Sequence, residues 1–357
     1  MLDRALNLVR ILSFQKIWNI YIVQLSYILS NLMKKPIVWG KPWFVSIEPA
    51  SVCNLSCPQC PVGAGEIDRT KKFMELDQYR KLIEEISGTT SIISLYFQGE
   101  PLMNNEFTEF VRIASKHRIY TQTSTNAQLL TEEVCRGLLE AGLDRIIISL
   151  DGTDQESYQA YRRGGEFQKV EDGVRTLVHL RGQAGSKNPL IIIQFLVFRH
   201  NQDQIPEVKK LAKEWGADNV WIKSAQVEYP ESADEWIPAF NNGGSDAQPG
   251  KSRKILSDPY SRYEKSPSGE WRLRGKLKNR CKRLWQTTVI TSDALVVPCC
   301  FDKHATYQMG NSGEESLAGI WKSKVYNDFR KQILTKRKSV AICMNCTEGI
   351  VNTVPRE

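Results

Sequence analysis

A chain of 357 residues, 41% hydrophobic and 25% charged, has room for one large core or two smaller ones, which excludes a disordered or fibrous protein. Its formal net charge of +8 favours an anionic substrate or surface and is too diffuse to argue for nucleic acid. Nine cysteines set in close groups exclude a secreted disulfide framework, and with no small-residue cleavage site near the start the reducing cytoplasm is the expected compartment.

Residues 1–40 form the first segment. Trp18, Tyr21, Ile22, Leu25, Ile28, Leu29 and Leu32 recur at helical spacing, while Ile17, Ile20 and Val23 widen the apolar face. The uncharged run from Ile17 to Met33 holds Asn19, Gln24, Ser26, Ser30 and Asn31, so it is too short and too polar for a membrane span. Two readings stay open. One is an interfacial helix in peripheral contact with a membrane, flanked by Arg4, Arg10, Lys16, Lys34 and Lys35; the other is a helix packed on the main domain.

Residues 41–228 alternate short apolar runs with helical patterns. Strands are predicted at 43–47, 92–97, 119–123, 145–150, 190–198 and 219–222, and helices at 76–86, 106–115, 131–141, 167–180 and 204–215. Such alternation predicts an α/β fold with a parallel sheet and right-handed crossovers. No glycine-rich dinucleotide fingerprint follows the first strand, so a barrel or partial barrel is preferred to a doubly wound sheet. Residues 229–250 are rich in Pro, Gly, Asn and Ser and read as a linker or lid. Residues 251–357 have a different texture, cysteine-bearing and short-stranded, with twelve Lys/Arg against three acids between Lys251 and Arg283. That basic stretch suits a phosphate-bearing substrate or is a solvated face.

Cys53, Cys57 and Cys60 lie within eight residues just after the first strand. Loops after the strands form the catalytic face of a parallel barrel, so these thiols emerge there. Three thiolates can each take one iron of a cubane cluster and leave the fourth iron open. A zinc knuckle or structural cluster is the plainer alternative.

This C-x3-C-x2-C motif resembles the signature of the radical S-adenosylmethionine (SAM) superfamily. The resemblance implies a partial (β/α)6 TIM-like barrel and a 4Fe-4S cluster whose open iron binds SAM. Cleavage of SAM then yields a 5′-deoxyadenosyl radical that abstracts a substrate hydrogen. Gln59 departs from the aromatic residue many members place beside the adenine. Gln98-Gly99-Glu100 resembles the family's Gly-Gly-Glu motif, which holds the SAM ammonium. Asn126 and Ser149-Leu150-Asp151-Gly152 sit at strand ends that members use for SAM, and Arg162 or Arg163 is placed to meet the SAM carboxylate. Helix capping for the polar residues, and solvated surface positions for the arginines, remain open.

Cys281, Cys299, Cys300, Cys343 and Cys346 lie beyond the barrel pattern, and their surroundings resemble the SPASM/twitch module of the same superfamily. Five cysteines are enough for one auxiliary 4Fe-4S cluster, assigned to Cys281, Cys299, Cys343 and Cys346, with Cys300 as neighbour or substitute; four thiolates suit zinc equally well. Cys135 falls inside a helical pattern and is expected in the core. The four histidines show no ligand spacing.

The resemblance implies an oxidoreductase, dehydrogenase-like, acting on a sugar-like small molecule, with flavodoxin or ferredoxin as electron donor, and the basic stretch adds a phosphate-bearing molecule as a candidate. Only 42 residues precede the barrel, fewer than the peptide-recognition domain that peptide maturases often carry, which tilts the reading toward the small molecule. A peptide- or protein-modifying maturase is the alternative, and a non-catalytic iron–sulfur or zinc protein the second.

Overall fold

A computed structural model describes residues 11–67, 69, 72–238, 260–348 and 350. Six strands run β1 (Phe44–Ile47), β2 (Ile92–Ser94), β3 (Tyr120–Thr125), β4 (Arg145–Ser149), β5 (Leu190–Val197) and β6 (Asn219–Ser224), each paired in parallel with its sequence neighbour. Helices between them cover one face: α2 (Leu76–Ile86), α3 (Phe107–Lys116), α4 (Glu132–Ala141), α5 (Gln155–Tyr161), α6 (Phe167–Gln183) and α7 (Ile205–Glu214). The sheet ends at β6 without closing, which gives the expected partial barrel.

Local sequence explains these elements. In α2, Tyr79, Leu82, Ile83 and Ile86 recur on one side and are buried, each stabilising the helix by roughly 1.5–3 kcal/mol. Tyr79 stacks on Phe110 of α3 with ring centroids 4.2 Å apart. Thr131 caps α4 by accepting from Val134 N, and Gly142 ends it at φ 82°, where glycine carries no Cβ penalty. The apolar run of β5 is buried on both faces, as central parallel strands are. Cys135 is fully buried in this core, as expected. The helix α5 was not expected; its signal is the Asp154–Ser157 capping box.

The C-terminal part does not stand apart from the barrel. After the hairpin β7 (Tyr263–Lys265) and β8 (Trp271–Leu273), β9 (Thr287–Ile290) pairs in parallel with β1, and β10 (Leu295–Val297) and β11 (Gly310–Asn311) extend the sheet antiparallel. The sheet thus has nine strands among the described residues, in the order β11-β10-β9-β1-β2-β3-β4-β5-β6. Residues 230–237 of the expected linker are packed instead: Ala233, Trp236 and Ile237 are buried, with α8 at Ala233–Trp236. Residues 239–250 of that segment, and 251–259 of the basic stretch, lie outside the described residues. The chain then runs through α9 (Arg283–Gln286), α10 (Leu317–Lys322), α11 (Lys324–Lys336) and α12 (Ala341–Met344).

The N-terminal helix α1 (Phe14–Met33) packs on the main domain with its polar side inward. Lys16 Nζ donates to Arg118 O, Asn19 Nδ2 to Lys41 O and Thr89 O, and Trp285 Nε1 to Ser30 Oγ. Arg118, Lys41 and Thr89 precede β3, β1 and β2, so α1 lies across the N-terminal ends of the strands. No helix among the described residues is long and apolar enough to cross a membrane.

Candidate iron–sulfur and cosubstrate site

The loop after β1 carries Cys53, Cys57 and Cys60 at the C-terminal end of the sheet. Donors point at its sulfurs. Leu55 N lies 3.4 Å and Asn126 Nδ2 3.7 Å from Cys53 Sγ, and Arg162 Nη1 lies 3.9 Å from Cys57 Sγ. Burial pushes the Cys53 thiol up to about 12 and raises Cys57 too, against the pull of Arg162. Such thiols stay protonated until a cation replaces their protons. Among the described residues no three His, Cys, Asp or Glu side chains converge as a single metal ion requires. A cubane gives each thiolate its own iron, so its three thiols need not converge on one point. The donor set fits such a cluster.

Gln98-Gly99-Glu100 follows β2 and abuts this loop. Gly99 has φ +68°, and a Cβ there would sit 2.4 Å from Ala50 O and 2.7 Å from Val52 O. Glu100 N donates to Val52 O at 2.8 Å, one residue before Cys53. The buried Glu100 carboxylate accepts from Leu102 N, Thr125 Oγ1 and Asn126 N at 3.1, 2.7 and 2.8 Å. Burial raises its pKa above the usual carboxylate range, and these donors oppose the rise. The motif therefore ties the ends of β2 and β3 to the cysteine loop. Gly99→Ala is expected to destabilise the protein by roughly 3 kcal/mol, from left-handed strain plus a backbone clash. Gly65→Ala, also at positive φ but with nothing within 4 Å of the added Cβ, should cost only about 1 kcal/mol by urea denaturation.

Asn126 bridges to Asn54 Oδ1 at 2.8 Å, and the Ser124 and Ser149 hydroxyls lie 3.4 Å apart across β3 and β4. Asp151, fully buried, takes Arg162 Nε at 2.7 Å on Oδ2 and Leu196 N at 2.8 Å on Oδ1. Burial works against the Arg162 charge, but Asp151 and then Cys57 outweigh it and hold the guanidinium ionised. Arg162 is thus brought to Cys57, whereas Arg163 is exposed at the surface.

Two residues make contacts that sequence reasoning did not assign. Gln59 is buried and faces the segment after β6: its Oε1 accepts from Glu228 N and Tyr229 N, and its Nε2 donates to Ser232 Oγ. Glu48, fully buried just beyond β1, accepts from Gln98 N and Ser292 N and pairs with Arg69 at 3.5 Å. Burial lifts its carboxyl to about 7 despite Arg69. Glu48 joins the Gln98 motif to the turn after β9. An acid closing a buried apolar strand was the one available signal.

The second thiol group gathers beside α9. Cys281, Cys343 and Cys346 are buried. Burial, then the neighbouring Cys300, Cys281 and Cys346, raises the Cys299 thiol well above its ordinary range. Arg337 Nη2 lies 3.6 Å and Glu348 N 3.3 Å from Cys346 Sγ. Cys300 instead receives Arg283 Nη1 at 3.4 Å, and Arg283 is paired with Glu348 at 2.9 Å. A cavity of about 430 Å³ opens between the segment after β6 and this module, walled by Glu228, Tyr263, Phe301, Lys303, His304 and Asn345. Lys303 and Glu228 form an ion pair of 2.7 Å at its side.

Residues 47–212 match the model of the Radical SAM superfamily, and residues 281–347 match that of SPASM, an iron–sulfur cluster-binding domain. The chain is 27% identical over 326 residues to the tungsten-containing aldehyde ferredoxin oxidoreductase cofactor-modifying protein of Pyrococcus furiosus, spanning 85% of this chain and 87% of that one. It is 31% identical over 176 residues to the mycofactocin maturase MftC of Mycolicibacterium smegmatis, spanning 49% of this chain and 43% of that one. Among solved structures, Streptococcus suis SuiB bound to S-adenosylmethionine aligns with a TM-score of 0.59 at 16% identity, over 87% of this chain and 73% of that one, a likeness of fold. The two family matches bear out the resemblance drawn from the cysteine motifs.

Proposed function

Since the chain belongs to the radical SAM superfamily and carries a C-terminal SPASM domain, we propose that it modifies a peptide or a cofactor precursor by hydrogen abstraction. This replaces the expected dehydrogenation of a sugar-like molecule as the preferred reading. The observation that carries it is the match along 87% of a cofactor-modifying protein, joined by matches to the mycofactocin maturase MftC and to a PqqA peptide cyclase.

Cys53, Cys57 and Cys60 would hold the SAM-binding 4Fe-4S cluster, and Cys281, Cys299, Cys343 and Cys346 an auxiliary one. When bound, these groups supply a one-electron cleavage of SAM to methionine and a 5′-deoxyadenosyl radical, together with a second redox centre. The chain's own residues position and insulate. Asp151 holds Arg162 charged against Cys57, where the guanidinium offsets negative charge on the sulfur. Gly99 lets the Gln98 motif approach the cysteine loop, and the Gln98 carbonyl, Asn126 and Ser149 offer polar groups for SAM around it. Arg283 on Cys300 and the nearness of Cys281 and Cys346 to Cys299 favour Cys299 as the fourth auxiliary ligand. The cavity beside that module is of a size that takes one or two peptide side chains or a small molecule. A flavodoxin or ferredoxin would deliver the electron.

The test is deuterium transfer. Anaerobically reconstituted protein is given SAM, a strong reductant and side-chain-deuterated peptides encoded beside its gene, or a deuterated cyclitol. Label in 5′-deoxyadenosine from a peptide supports the proposal. Label from the cyclitol alone overturns it in favour of the dehydrogenase.

A further inference from the structure

Helix α1 is inside out. Its polar side chains Lys16, Asn19, Ser26 and Ser30 are buried against the barrel, while Phe14, Trp18, Tyr21, Ile28 and Leu32 form a stripe along the opposite side. Phe14 is 84%, Trp18 54% and Leu32 74% exposed, and Trp39 beyond the helix adds a further exposed ring. A contiguous apolar face of this kind on a folded surface marks an interaction site.

We propose that this face docks the protein onto the surface of an anionic lipid bilayer. Charge chooses the occupant. Among the described residues before Glu48 there is no Asp or Glu, and while Lys16 faces the barrel, Lys34 and Lys35 are exposed where the stripe ends. Anionic headgroups attract such clusters, whereas the buried centre of a protein–protein interface is depleted in lysine. Trp and Tyr beside aliphatic side chains suit the boundary between headgroups and acyl chains. The helix cannot cross a membrane, so it lies along the surface. Because α1 spans the N-terminal ends of the strands, the docked face is opposite the loops that carry Cys53, Cys57 and Cys60. SAM cleavage should therefore proceed equally on and off the bilayer.

The experiment is co-sedimentation of the full, cluster-loaded protein with vesicles of phosphatidylcholine alone or mixed with phosphatidylglycerol. Sedimentation with the mixed vesicles, reversed by high salt, is expected. A Trp18→Ser/Leu32→Ser variant should bind at least about tenfold more weakly, as should Lys34→Glu/Lys35→Glu. Both should keep the wild-type melting temperature and 5′-deoxyadenosine formation, since these side chains are exposed. Three outcomes would each overturn the proposal: no sedimentation with anionic vesicles, equal binding by the serine variant, or a solution dimer that this variant dissociates.

Discussion

Cys57→Ala, reconstituted anaerobically, is expected to form 5′-deoxyadenosine more than about a hundredfold more slowly than the wild type. Even outer groups around a metal site are commonly worth about 10–100-fold, and Cys57 is a proposed ligand. It is also the thiol that Arg162 faces, at 3.9 Å, so the substitution would leave that guanidinium without its second anionic partner. The comparison is Cys135→Ala. Cys135 is as buried as any residue in the core, with the carbonyls of Leu130 and Gly173 3.9 Å from its sulfur, and it lies in α4 away from the cysteine loop. That variant should lose about 1 kcal/mol of stability and keep its turnover. Product analysis with bound iron measured in parallel decides the matter. Full turnover by Cys57→Ala would refute the ligand assignment.

Asp151→Ala should cost about 3–5 kcal/mol, the usual penalty for stranding one member of a buried ion pair. Arg162 is only 14% exposed in its side chain and Asp151 not at all. Removing the carboxylate also orphans Leu196 N, so a strand end loses its acceptor along with the guanidinium. Asp151→Asn keeps an acceptor for Leu196 N and should recover part of the loss. Urea denaturation of the cluster-free chains measures these differences. A change below about 1 kcal/mol in Asp151→Ala would show that Arg162 finds another partner. Arg162→Lys separates charge from geometry: one ammonium cannot reproduce the paired Nε and Nη2 contacts to Asp151.

Composition and spacing by themselves determined the parallel α/β alternation and the place of the cysteine loop after the first strand, and the cysteine motif carried the resemblance to the superfamily. Each is written locally: apolar runs of strand length, helices with one apolar stripe, three thiols in eight residues. Boundaries drifted where tertiary hydrogen bonds decide them; β6 runs two residues further, to Ser224, because β5 pairs with it that far.

Only the tertiary structure decided which chemically eligible residues meet. Arg162 and Arg163 are equivalent neighbours in sequence, yet one is held by Asp151 beside Cys57 and the other faces solvent. Glu48 and Ser292 are 244 positions apart and share a hydrogen bond, because β9 of the C-terminal part joins the sheet beside β1. The orientation of α1 was undecidable too. Its periodicity names two faces, and the hydrophobic effect alone would bury the apolar one; backbone carbonyls of Arg118, Lys41 and Thr89 instead claim Lys16 and Asn19. A periodic pattern records that two faces differ, but which face turns inward depends on the unsatisfied groups of partners distant in sequence.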